Sequence, residues 1–137
     1  MKHPDCIFCK IIQNQIQTQK LYEDEKCIVI LDKFPVTKGQ SLIISKSHVD
    51  YIFNLEDQVY QHVFKIAKKI GKATDVALKT MRTWIVVQGM EVPHVHIKLF
   101  PIYPGKKISL TEGEGVEISE KEINDIGGKI VNEIKRL

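Results

Sequence analysis

The segment Val92-Pro93-His94-Val95-His96-Ile97-Lys98-Leu99 sets two imidazoles and an ammonium at every second position. On an extended strand alternate side chains share a face. His94, His96 and Lys98 therefore line one side, and Val95, Ile97 and Leu99 the other. The result is a polar groove over a packed core. Two imidazoles and an ammonium make a seat for a phosphate, and a neutral imidazole can attack phosphorus to give a covalent nucleotidyl intermediate. The same pattern also fits an amphipathic strand with its polar side in water, or a His-x-His metal ligand pair. Spacing alone does not choose among the three.

A second group with chemistry is Cys6-x-x-Cys9. In a reducing compartment this spacing points to a metal site or a redox pair rather than a structural disulfide. The three cysteines are an odd number, and Cys27, inside an apolar run, reads as core. A tetrahedral metal site would need two further ligands besides the pair.

These residues need a scaffold. The chain has 137 residues, enough for one domain with a real core. Apolar residues make up 43% and charged residues 27%, the balance of a soluble globular protein. The net charge of +3 is spread through the chain, which gives little reason to expect nucleic acid as a partner. No apolar run approaches the ~20 residues that span a bilayer, so no membrane partner is expected. No signal-peptide stretch follows the N-terminus, and a cytoplasmic location is the expectation.

Periodicity predicts an α+β fold: an antiparallel five-stranded sheet, one long helix packed on it and a C-terminal helix. Residues 6–13 can start a short helix or turn. Residues 20–31 read as two strands around the charged turn 23–26, and residues 40–45 as a third strand. Apolar residues at helical spacing predict a helix over 55–79, with Asn54 as N-cap. Residues 83–87 and 92–101 read as an antiparallel pair joined through Gln88-Gly89-Met90-Glu91. Glu112-Gly113-Glu114-Gly115 reads as a loop. Ser119-x-x-Glu122 is a capping box opening a helix to about residue 136, which the pair Gly127-Gly128 weakens by ~1 kcal/mol per glycine.

Taken together, several segments resemble the histidine triad (HIT) family in order along residues 6–103. Pro93-His94-Val95-His96-Ile97-Lys98-Leu99-Phe100-Pro101 is similar to the His-φ-His-φ-His-φ-φ signature, where φ is apolar. Cys6-Ile7-Phe8-Cys9-Lys10-Ile11-Ile12 resembles the opening of many members. Leu31-Asp32-Lys33-Phe34-Pro35-Val36-Thr37-Lys38-Gly39 and Leu42-Ile43-Ile44-Ser45-Lys46-Ser47-His48 are similar to the family's LD-x-x-P-x-x-x-G and L-V-I-P-K-x-H segments. The resemblance implies a HIT-like domain over 1–103, with the loop and helix of 104–137 packed on it. It implies a homodimer whose sheet continues across both subunits. It also implies a purine nucleotide or nucleotide conjugate as ligand, and cleavage of nucleoside phosphoramidates or dinucleoside polyphosphates at the α-phosphorus. His96 takes the place of the nucleophile, with His94 orienting it or touching the phosphate. Phe8, Ile11 and Leu31 fall where the purine pocket lies, Asp32 where a carboxylate meets the ribose, and Gln88 where the phosphate is bound. In zinc-containing members the cysteine pair is completed by residues matching His48 and His94. Cys6, Cys9, His48 and His94 are then the implied zinc ligands.

The sequence departs from that pattern at the third histidine, which is Lys98, and at Gln40, where histidine is common. The segment between Gln88 and His94 is also short, with Glu91 where a Ser or Thr would stand. Lysine binds a phosphate oxygen but donates a proton less readily than imidazolium near neutral pH. Three readings follow: a hydrolase working through His96, a nucleotide-binding regulatory protein with weakened turnover, and a zinc-stabilised interaction module.

Overall fold

Five short β-branched-rich segments form one antiparallel sheet in the computed structural model, which describes residues 3–110 and 115–137. The strands are β1 (Lys20–Glu23), β2 (Cys27–Leu31), β3 (Ser41–Ser45), β4 (Arg82–Val86) and β5 (His96–Ile102), in the order β1-β2-β3-β5-β4. β2 and β3 are buried along their whole length, because both faces of the sheet are covered there.

One face carries the long helix α2 (Asp57–Leu78) and the C-terminal helix α3 (Glu120–Arg136). Val63, Ile66, Ile70 and Ala73 of α2 pack over Val29, Ile43, Ile97 and Leu99, and Ile130 and Ile134 of α3 close the same cluster. The opposite face is covered by the short helix α1 (Ile7–Ile12), whose Phe8, Cys9 and Ile11 lie on Ile28, Ile30, Leu42 and Ile44. Val95, Ile97 and Leu99 thus face α2, as alternation predicts. The loop expected over 112–114 lies outside the described residues.

Several element boundaries differ from expectation. Asn54 is not the N-cap of α2. It closes a 3-10 turn, Ile52–Asn54, with its N–H on Tyr51 O; Leu55 is then extended and the helix starts at Asp57. β4 lies one residue earlier than read, pairing Val86 with Lys98. β5 begins only at His96. Pro93 offers no N–H, His94 N–H turns back to Val92 O at 2.8 Å, and Val95 N–H goes to Val49 O at 2.7 Å instead of to a strand. His94 therefore stands off the regular ladder, free to aim its ring elsewhere.

The capping box of α3 is half formed. Ser119 Oγ accepts the Glu122 N–H at 3.1 Å, but the Glu122 carboxylate takes Lys38 Nζ at 2.6 Å instead of the cap. The two glycines of α3 differ in kind. A Cβ on Gly127 would come within 2.8 Å of Gln19 Nε2 and 2.9 Å of its Cγ, whereas Gly128 faces open space. Gly127 lies against the Gln19 side chain, just before β1. Gly128→Ala should stabilise the protein by about 0.4–1 kcal/mol, and Gly127→Ala should gain less, because the Gln19 side chain has to swing aside to admit the methyl. Chemical denaturation of the two variants checks this ranking.

Candidate functional site

The end of β3, the entry to β5 and the N-terminus of α1 converge at one end of the sheet. Cys6 stands at the N-cap of α1, where its Sγ accepts the Cys9 N–H at 3.4 Å. One helical turn brings Cys9 beside it. The segment after β3 supplies His48, and the irregular entry to β5 supplies His94. His94 Nδ1 lies 3.3 Å from Cys6 Sγ, 3.7 Å from Cys9 Sγ and 3.1 Å from His48 Nδ1; Cys9 Sγ lies 3.2 Å from His48 Nδ1.

These four side chains could hold a metal ion. Ligands of one tetrahedral zinc at N and S distances stand roughly 3.3–3.8 Å apart, close to the separations here. The tautomers fit as well. His94 Nε2–H donates to Ser45 O at 2.7 Å, which leaves Nδ1 with its lone pair toward the cysteines. Burial lowers the pKa of His94 against the opposing Ser45 bond, and His48 lowers it further. Burial lowers His48 too, aided by the His3 ring stacked on it at 3.7 Å. Both imidazoles are thus held in the neutral, ligating form. Burial raises the Cys6 thiol, with the Cys9 N–H opposing.

His96 occupies the first regular position of β5 and is buried, at 4% exposure. Its Nδ1–H donates to the His94 carbonyl at 2.7 Å, so Nε2 carries the lone pair. Phe8 meets its ring edge-on at 4.8 Å. Burial is the main force lowering its pKa; the bond to His94 opposes it, and the Lys98 cation lowers it further. Lys98, two residues on, shares the face and donates from Nζ to Gln88 Oε1 at 3.4 Å. His96 and Gln88 also line a cavity of about 560 Å³ whose other walls include Tyr51, Phe53 and Met90. The sequence reading passed over these three exposed apolar side chains. The run Tyr51-Ile52-Phe53, beside His48, is the signal that could have found two of them.

Asp32 follows β2. Its Oδ1 accepts the Phe34 N–H at 2.9 Å and its Oδ2 the Gln40 side-chain amide at 2.8 Å. Gln40 in turn accepts the Val36 N–H at 2.7 Å, so this departure from the family pattern serves to fix the loop and the carboxylate. Phe8 and Ile11 sit together on the α1 face. Leu31 does not join them. It packs with Cys27 and Val29 under α2, while Ile28 and Ile30 are the β2 residues on the α1 side. Alternation along β2 puts Ile30, and not Leu31, on the side of Phe8. Ile30 is therefore the β2 residue that shares a cluster with Phe8 and Ile11.

An α+β fold whose antiparallel sheet carries a histidine strand between β3 and β4, with a Cys/His cluster at one end, defines the class. The HIT domain model matches residues 13–105, and the chain belongs to the HIT family. An adenosine 5′-monophosphoramidase of Schizosaccharomyces pombe is 31% identical over 132 residues, 95% of this chain and 98% of its own. A HIT-like protein from Bartonella henselae has the same fold, with a TM-score of 0.85 at 22% identity, covering 96% of this chain and 97% of the other. A Zn-bound histidine triad protein of Mycobacterium smegmatis superposes with a TM-score of 0.84 at 22% identity, over 96% of this chain and 94% of the other. Among the described residues no helix is long and apolar enough to cross a membrane.

Proposed function

We infer that this chain is a nucleotide-binding hydrolase that cleaves nucleoside phosphoramidates or dinucleoside polyphosphates at the α-phosphorus through His96. The observation that carries the reading is the fixed His96 tautomer, with Nδ1–H on the His94 carbonyl and the Nε2 lone pair left for attack. Nε2 forms a bond to phosphorus as the P–N or P–O bond to the leaving group breaks, and the leaving group takes a proton from solvent. Water then displaces the imidazole, releases the nucleotide and returns its proton to solvent. Lys98 stabilises charge on the five-coordinate phosphorus, with Gln88 beside it as a phosphate contact. Phe8 and Ile11 form the apolar side of a purine site, Ile30 stands where Leu31 was expected, and Asp32 meets the ribose hydroxyls. The monophosphoramidase name of the fission-yeast relative supports this substrate class.

The test is incubation with adenosine 5′-phosphoramidate and measurement of AMP release. One observation favours the alternative, a nucleotide-binding protein with weakened turnover: at the third triad position stands Lys98, a poorer acid for an amine or alkoxide leaving group. Tight AMP binding with no AMP release would select that alternative.

Cys6, Cys9, His48 and His94 would hold a structural zinc, which supplies a fixed cross-link between α1 and the entry to β5. His94 then serves His96 through its backbone carbonyl while its ring serves the cluster. The 104–137 tail belongs to the same domain in this reading, supported by Ile130 and Ile134 in the shared core. Three unpaired cysteines fit a cytoplasmic, reducing setting. A homodimer is supported by the outer strand β4, where Trp84 and Ile85 remain 39% and 50% exposed. Light scattering at micromolar concentration should give twice the 15.7 kDa chain mass. A monomer there would reject the dimer.

A further inference from the structure

A second cluster of ligating side chains lies on the opposite face of the sheet from the first. One carboxylate organises the turn between β1 and β2. Asp24 Oδ1 accepts the N–H groups of Lys26 at 2.8 Å and Cys27 at 3.0 Å. Asp24 Oδ2 accepts the Tyr22 hydroxyl at 2.8 Å and lies 2.6 Å from His62 Nε2. Cys27 Sγ is buried beside them, and the three ligand atoms of Asp24, Cys27 and His62 lie within 4.8 Å of one another. His62 belongs to α2, so the cluster joins that helix to the turn. None of these residues has a part in the chemistry assigned to His96.

We propose that Asp24 Oδ2, Cys27 Sγ and His62 Nε2 form a three-ligand site for a borderline divalent cation such as Zn²⁺ or Co²⁺. One thiolate, one imidazole and one carboxylate are the donor types such ions take, and three protein ligands leave a fourth position for water or the Tyr22 oxygen. Two of the ligands are already fixed. Asp24 is tethered by two backbone N–H groups, and Cys27 is locked into β2 between β1 and β3. His62 is the ligand that has to move. Its Nε2 stands 2.6 Å from Asp24 Oδ2, against roughly 3.3 Å for two N/O ligands of one tetrahedral ion. The opening needed is under about 1 Å, within reach of a side-chain rotation on a half-buried helix face.

The protons balance. The Cys27 thiol releases its proton to solvent as sulfur bonds the metal. His62 gives up the Nε2 proton that now faces Asp24, either to Nδ1 within a neutral ring or to solvent from an imidazolium. The bound ion clips α2 to the β1–β2 turn and stabilises the folded state by mass action. The rival arrangement is an ion-free hub in which Asp24 simply hydrogen-bonds Tyr22 and His62.

Cobalt(II) titration of the metal-free full chain separates the two, with native mass spectrometry counting bound ions and absorption reporting thiolate ligation. Wild type should take up one equivalent more than His62→Gln and one more than Cys27→Ser. That difference holds whatever reaches the Cys6–Cys9 cluster, so the outcome is independent of the first site. His62→Gln keeps an amide to bond Asp24 and leaves the core untouched; its melting in chelator should match wild type. Cobalt should then raise the melting temperature of wild type more than that of His62→Gln. Equal uptake by wild type and His62→Gln would overturn the site, and so would an equal cobalt-dependent rise in melting temperature.

Discussion

His96→Ala should lose AMP-releasing activity by at least about 10³-fold, since removal of a covalent nucleophile takes away the intermediate itself and not one contact to it. Nucleotide binding should fall far less. Phe8, Ile11 and the Asp32 carboxylate would remain, and the alanine sits in a strand whose neighbours Val95 and Ile97 keep their places in the core. The expected pattern is a collapse of kcat with little change in the dissociation constant for AMP. His96→Asn should behave the same way, because an amide can keep a hydrogen bond to the His94 carbonyl but cannot attack phosphorus. Lys98→His, measured in the same assay, should raise the rate on poor leaving groups more than on good ones, as it restores an acid near neutral pH. Full activity in His96→Ala would remove the assignment.

The other large effect concerns the cluster at the end of the sheet. Removing metal with a chelator, or substituting Cys9→Ser, should cost about 4 kcal/mol or more and lower the melting temperature by roughly 10–20 °C. Cys6 caps α1 and Cys9 is buried against His48 and His94, so loss of a common ion would release the helix that covers His96. Elemental analysis of protein purified without chelator should show zinc that falls by about one per chain in Cys6→Ser/Cys9→Ser. A metal-free protein whose stability is unmoved by Cys6→Ser/Cys9→Ser would reject the zinc.

The histidine strand was legible because alternation along an extended chain is a strict geometric rule. Ile97 and Leu99 fall on the α2 face and His96 on the other, as that rule requires. Its boundary was less legible. The departure of His94 from the ladder depends on Val95 N–H finding Val49 O, a contact 46 residues apart in sequence that no local pattern encodes. The same limit explains Asn54, a good N-cap residue that a 3-10 turn claimed first. Leu31, set beside Phe8 and Ile11 by the family resemblance, packs under α2, and period-two burial puts Ile30 on the α1 side instead. The Cys6, Cys9, His48 and His94 set came from the family resemblance, and the fold brings all four together. Asp24, Cys27 and His62 had no such guide. Cys27 read as an ordinary core residue, and only the packing of α2 over the β1–β2 turn brings His62 to it.

The most direct measurement is mass mapping of the chain after a rapid acid-free quench of its reaction with adenosine 5′-phosphoramidate. An adenylyl group on the peptide carrying His96, absent from His96→Asn, is the predicted result. AMP release at the full rate with no adduct at His96 would contradict the account.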